Sequence, residues 1–227
     1  MKKNLNMYFR VVSSFLICAS SLQAQYFNKI VVEAGLSNSN QIKTPVNFAD
    51  GGSILGFVAT VEPTIWSFGS KKQFDLNVNM SFIQKGGSNY SPILAYDPYG
   101  QSVGIGSETY AVTINYISFS PCFKANIWKI LFVKAGPRCD VFTGFHKAEL
   151  VPGNDPRSSK DFNATTCGLT YGIGLCTGKK RVKFVSEIVG QNDFTQSSYN
   201  KASNQTFKNY SYLVNLGILI DLKSDKQ

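Results

Sequence analysis

The chain has 227 residues, 43% of them hydrophobic, and its 23 Lys and Arg against 14 Asp and Glu give a net charge of +9. Outside the N-terminus no apolar run approaches the roughly 20 residues of a membrane-crossing helix, which excludes a helical membrane protein, and the length suits one domain. The basic residues are scattered, without the stripe or motif of a nucleic-acid reader; anionic lipid headgroups and lipopolysaccharide are the partners a mildly basic surface suits better.

In chain order, Lys2, Lys3 and Arg10 precede an apolar run from Val11 to Leu22 and then Gln23-Ala24-Gln25. This predicts a cleaved signal peptide over 1–24 and a single mature domain over 25–227. Losing those three positive charges lowers the net charge from +9 to +6. Cys18 sits inside the apolar run and is not read as a lipid-attachment residue.

Alternation of period two then marks a series of strands. The first sets Ile30, Val32, Ala34 and Leu36 against Lys29, Glu33 and Gly35. A polar, turn-rich segment from Ser37 to Gly52 separates it from the second, which sets Leu55, Phe57, Ala59 and Val61 against Gly56, Val58, Thr60 and Glu62. A short turn over Trp66 to Lys72 leads to the third, where Phe74, Leu76, Val78, Met80 and Phe82 face away from Asp75, Asn77, Asn79 and Ser81. Lys85 to Glu108, with Gly-Gly, two Pro and three Tyr, reads as the longest loop. The fourth strand covers Thr109 to Lys124 and the fifth Ile130 to Phe145, with a short turn between them. After a polar loop over His146 to Ala164, the sixth sets Leu169, Tyr171, Ile173 and Leu175 against Gly168, Thr170, Gly172 and Gly174. The seventh, from Val182 to Gly190, follows a basic turn, and Gln191 to Asn209 reads as a further loop. The eighth puts Tyr210, Tyr212, Val214, Leu216, Ile218, Ile220 and Leu222 on one face, against Ser211, Asn215, Gly217 and Asp221.

Connections alternate long and short, and the strands match a tilted bilayer crossing. The fold expected is therefore all-β: an eight-stranded antiparallel up-and-down transmembrane β-barrel. A soluble ligand-binding barrel would show the same alternation with its apolar face inward. The composition of the polar face favours the membrane form, because it is rich in Asn, Ser, Thr and Gly rather than the Lys and Glu of a solvated exterior. Charges on that face are few, namely Glu33, Glu62, Asp75, Lys134, Arg138, Asp140, Glu187 and Asp221. Charges inside a narrow lumen need partners, so Lys134 and Arg138 are expected to bridge some of these carboxylates. Trp66 and Trp128, near Phe68 and Phe74, form one expected aromatic girdle; Tyr110, Phe142, Phe194, Tyr210 and Tyr212 form the other.

The segments Tyr116-Ile117-Ser118-Phe119-Ser120-Pro121, Phe132-Val133-Lys134-Ala135-Gly136-Pro137 and Gly168-Leu169-Thr170-Tyr171-Gly172-Ile173-Gly174 resemble the PorT-like outer-membrane β-barrel family of Gram-negative bacteria. The resemblance spans the mature chain from about Gln25. It implies an eight-stranded barrel in the outer membrane and, by analogy with the best-known members, a role in assembling or operating a protein secretion system.

Candidate chemistry is sparse. His146 is the only histidine, and Ser158, Ser159, Glu149 and Asp155, its neighbours in sequence, lie mostly in a loop rather than on the fixed geometry a Ser-His-acid set needs. No CxxC or HxxxH spacing marks a metal site, so no catalytic residue, metal or cofactor is expected. Cys122, Cys139, Cys167 and Cys176 remain after cleavage, an even count that permits disulfides in an exported chain. Alternation puts Cys139 and Cys167 on the lipid face and Cys122 and Cys176 on the lumen face, without evident cross-strand registry, and they are read as small strand residues. Tyr90, Tyr96 and Tyr99 make the second external loop the candidate contact surface for another envelope or secretion protein. The function expected is a non-enzymatic scaffold or interaction role in the outer membrane. The alternatives are a lipid-A-modifying enzyme and a soluble periplasmic ligand-binding barrel.

Overall fold

The computed structural model describes residues 27–44, 52–69, 73–96, 102–149, 162–178, 181–200 and 205–222. The expected signal peptide and Tyr99 lie outside them. The described strands are β1 (Lys29–Thr44), β2 (Ile54–Phe68), β3 (Phe74–Tyr96), β4 (Ser102–Asn126), β5 (Leu131–Glu149), β6 (Thr165–Thr177), β7 (Val182–Asp193), β8 (Ser198–Asn200) and β9 (Gln205–Asp221). Neighbours from β1 to β7 pair antiparallel in chain order, β7 pairs with β9, and β1 returns to pair with β9 from Lys29↔Asp221 to Thr44↔Thr206. Three-residue β8 pairs only with the start of β9. The result is a closed eight-stranded antiparallel up-and-down barrel, and closure removes the sheet edges that would otherwise pair with other chains.

The direction of the alternation is settled by exposure. Along β9, Val214 and Leu216 are 56% and 54% exposed while Ser211 and Asn215 are buried to 1% and 2%. In β3, Asp75, Asn77 and Ser81 are buried in the lumen, and Phe74, Leu76, Val78, Met80 and Phe82 are only half-buried on the other face. On β6, Leu169, Tyr171, Ile173 and Leu175 all stand exposed. The apolar face is the outer face.

Several strand boundaries differ from expectation: β1 runs on through Thr44, β5 through Glu149 and β7 through Asp193, and β8 and the start of β9 lie in the segment from Gln191 to Asn209 that reads as a loop. Within the expected loop from Lys85 to Glu108, Lys85 to Tyr96 extends β3 and Ser102 to Glu108 extends β4, paired from Lys85↔Ile114 to Ala95↔Gly104. The turn-forming residues that suggested a loop sit inside the ladder: Gly86 has φ +146° opposite Thr113, a conformation open to glycine, and Pro92 lies opposite Ser107. At 23 and 25 residues, β3 and β4 far exceed the ~9–11 residues of a bilayer crossing. Trp66, expected in a turn, belongs to β2. A register shift between Thr64 and Trp66 turns both Ile65 and Trp66 outward, as a β-bulge does.

The lumen is also less polar than expected. Val58, Ile83, Val112, Ile114, Tyr116, Phe162, Val189 and Leu213 form one apolar layer inside it. Val31, Phe132, Val185 and Leu219 form another toward the end carrying the short turns. Phe142 belongs to the first layer rather than to an outer girdle: its ring stacks on Phe162 at 5.3 Å and meets Tyr116 edge-on. Strand alternation places these residues inward even where their chemistry would suit the outside, and side chains fill the small barrel.

Candidate functional site

Charged side chains occupy the lumen in two clusters. In the first, Lys134 on β5 donates to Glu62 on β2 at 2.8 Å and lies 2.7 Å from the Glu187 carboxylate on β7. Asn77 and Asn79 donate to Glu62 at 2.6 and 3.2 Å, and Asn215 donates to Glu187 at 3.0 Å. Glu33 is buried nearby on β1 over Gly217, and its Oε2 finds no hydrogen-bond donor among the described residues. Lys124 is buried over the Phe132 ring, with its Nζ 3.7 Å from the centroid. Phe132 in turn lies across Gly174, its register partner, where a Cβ would collide with the ring.

The second cluster is closer to the long-hairpin end. Lys85 donates to Asp140 at 2.6 Å and stands 3.7 Å from Asp193. Arg138 contacts Asp140 through Nε at 3.1 Å and pairs with Asp193 through Nη2. Asn209 adds a side-chain bond to Asp193 at 3.1 Å and receives one from Gln41 at 3.0 Å. Two cations meet two carboxylates, all buried. Opposite Arg138 lies Gly168, where a Cβ would crowd the guanidinium. The wide reach of Arg138 therefore depends on a residue without a side chain.

Of the eight lumen charges named from sequence, the structure brings Glu62, Lys134 and Glu187 together with Glu33 nearby, and joins Arg138 to Asp140. Asp75 and Asp221 lie apart at the short-turn rim. Asp75 is 3.2 Å from Lys29 and accepts from Ser67, and Asp221 is 3.4 Å from part-exposed Lys183. Lys85 and Asp193 escaped the sequence reading because each falls at a strand end that reads as loop. The signal that could have found them is parity: Lys85 continues the inward series Asn77, Ser81, Ile83, and Asp193 continues Glu187, Val189, Gln191.

The outer face carries an aromatic cluster toward the short-turn end. Phe68 lies 5.4 Å from Trp66, 5.5 Å from Phe74 and 5.8 Å from Phe123. Exposed Trp128 lies in the β4–β5 turn, and Phe194, Tyr210 and Tyr212 mark the other end. His146 is exposed opposite Thr113, while Ser158, Ser159 and Asp155 lie outside the described residues. Tyr90 and Tyr96 are in β3, opposite Thr109 and Ser102, rather than in a loop. No group of metal-ligating side chains occurs among the described residues.

The cysteines require a correction. Cys139 and Cys167 are register partners across β5 and β6, with their sulfurs 3.2 Å apart on the outer face. Cys122 and Cys176 point to the lumen side, Cys122 against Ser120 and Cys176 against the lower apolar layer.

Fold and site together define a closed eight-stranded barrel with an apolar exterior and buried ion pairs in its interior. No protein-family model matches the chain, and no curated protein is similar to it. Among solved structures, it is similar to Ail, the attachment invasion locus protein of Yersinia pestis, in complex with the heparin analogue sucrose octasulfate (13% identity, 85% of this chain, 98% of that chain, TM-score 0.38). It is also similar to Neisserial surface protein A (13% identity, 85% and 96% coverage, TM-score 0.45) and to the outer membrane protease OmpT from Escherichia coli (8% identity, 85% and 95% coverage, TM-score 0.40).

Proposed function

We propose that this chain is a non-enzymatic integral barrel of the bacterial outer membrane, exported by a signal peptide over 1–24, that acts as a scaffold or interaction protein of the cell envelope. The observation that carries the reading is the outer face. Leu36, Val214, Leu216, Ile218, Ile188 and Phe184 stand exposed while acids, bases and amides are buried. In water such an exterior would be an aggregation surface; in lipid it is the required one, because closed barrels satisfy every backbone group internally. A soluble carrier would need the reverse polarity.

The interior argues for a plug rather than a conduit, since ion pairs and two apolar layers occupy it. Work at the envelope then falls to the projecting β3–β4 hairpin with Tyr90 and Tyr96, and the PorT-like resemblance suggests a secretion apparatus as its setting. The test begins with fractionation: the protein should pellet with outer membranes, require detergent for release, start at Gln25, and migrate faster unheated than boiled. Deleting Asn89 to Gly104 should then abolish capture of its envelope partner. Release without detergent would refute the membrane reading, and altered lipid A in a deletion strain would refute the non-enzymatic one.

A further inference from the structure

The geometry points to Cys139 and Cys167 as a dithiol pair on the outer face that closes to a cross-strand disulfide. The two residues are 28 apart in sequence yet directly opposite in register, with Sγ to Sγ 3.2 Å. Their pairing type is fixed by where the backbone bonds go. The Cys167 carbonyl accepts from Phe194 and Thr195 and its amide donates to the Thr195 hydroxyl, all on the side away from β5. Phe142, whose amide donates to Ala164, lies three register steps from Cys139, and because pair types alternate at each step this odd number also makes Cys139 and Cys167 a non-hydrogen-bonded pair. Such antiparallel pairs bring Cα atoms to about 4.5 Å with their side chains close, inside the ~4.4–6.8 Å range that a disulfide requires. Cys122 and Cys176 face the other side of the sheet and do not compete.

The position gives the bond a consequence. Register pairing between β4 and β5 stops at Phe119↔Cys139 and resumes at Phe123↔Ala135, and Pro121 and Pro137 lie in the gap. Proline has no N–H to offer a ladder, so β5 is weakly held on its β4 side next to Cys139. The disulfide would tie its other side to β6. Closure needs an oxidant, here a disulfide such as oxidised glutathione or an oxidised dithiol protein. The thiolate of one cysteine attacks a sulfur of that disulfide and expels one thiolate. The second cysteine's thiolate then attacks the resulting mixed disulfide, forming the Cys139–Cys167 bond and expelling the other thiolate. Two cysteine protons are released, and the two electrons end on the reduced oxidant.

The full chain, folded in detergent, is incubated with oxidised glutathione, denatured, and labelled with a maleimide reagent before and after reduction. Reduction should expose two additional thiols, and peptide mass spectrometry should find Cys139 linked to Cys167. Cys122→Ser and Cys176→Ser should keep that link and Cys139→Ser should lose it, with heat-modifiable mobility confirming the fold of each. The oxidised barrel should keep its fast-migrating form to a higher temperature than the reduced one, a difference absent from Cys139→Ser. Unchanged labelling after oxidation of the folded protein, or a link through Cys122 or Cys176, overturns the inference.

Discussion

The two charge clusters in the lumen solve the same problem with different arithmetic. In the Lys85–Arg138 cluster two cations face Asp140 and Asp193, and each carboxylate touches both. In the Lys134 cluster one lysine serves Glu62 and Glu187, with Glu33 as a third acid and Lys124 turned onto an aromatic ring. Redundancy protects the first cluster; in the second, Lys134 alone among the described residues makes ion pairs with the acids. Buried charges cost several kcal/mol each unless paired, so the clusters should respond unequally to the loss of a cation.

The largest effect should therefore come from Lys134→Met, which leaves three carboxylates around an apolar side chain. A cost of about 3–5 kcal/mol is expected, read as a lower urea midpoint for the detergent-folded barrel. Next comes a change outside both clusters, which tests the frame that holds them. Val78→Arg puts a cation on the outer face of β3, near its Phe74 end, and should weaken insertion by up to roughly 2–4 kcal/mol, the cost at the bilayer midplane, measured by folding into lipid vesicles. If Val78→Arg is harmless and Asn79→Leu severe, the faces have been assigned the wrong way round.

The contrast between the clusters also marks what could be read in advance. The Lys134 cluster was legible because Glu62, Lys134 and Glu187 sit in the middle of clean alternations, where parity alone assigns a face. Half of the other cluster was not, since Lys85 precedes Gly86-Gly87 and Asp193 precedes a polar run, and local turn chemistry outweighed parity. The β3–β4 hairpin failed for the same reason: each strand satisfies the other across Gly86 and Pro92, a pairing that no single segment displays. Parity put Cys139 and Cys167 on one face. Their direct opposition depends on the β5–β6 register, which is a property of two strands and the segment joining them rather than of either alone.

Redundancy in the Lys85–Arg138 cluster predicts a smaller response there. After Arg138→Met, Lys85 still reaches both Asp140 at 2.6 Å and Asp193 at 3.7 Å, and Asn209 still donates to Asp193. A loss of about 2 kcal/mol is expected, near the value of hydrogen bonds to charged groups, again from the urea midpoint. A loss equal to that of Lys134→Met would show that the second cation gives no protection.

The smallest effect distinguishes the clusters by sign. Among the described residues Glu33 makes no ion pair in the Lys134 cluster, and Glu33→Gln keeps its volume while replacing a buried acid beside Glu187 and Glu62 with an amide. An amide cannot take on the charge that burial beside two carboxylates disfavours, so stability at neutral pH should be unchanged or rise by about 1 kcal/mol. The matched change in the balanced cluster, Asp140→Asn, removes a carboxylate that both cations use and should be destabilising. Equal signs for the two changes would mean that Lys124 neutralises the third acid, and that the two clusters are balanced alike.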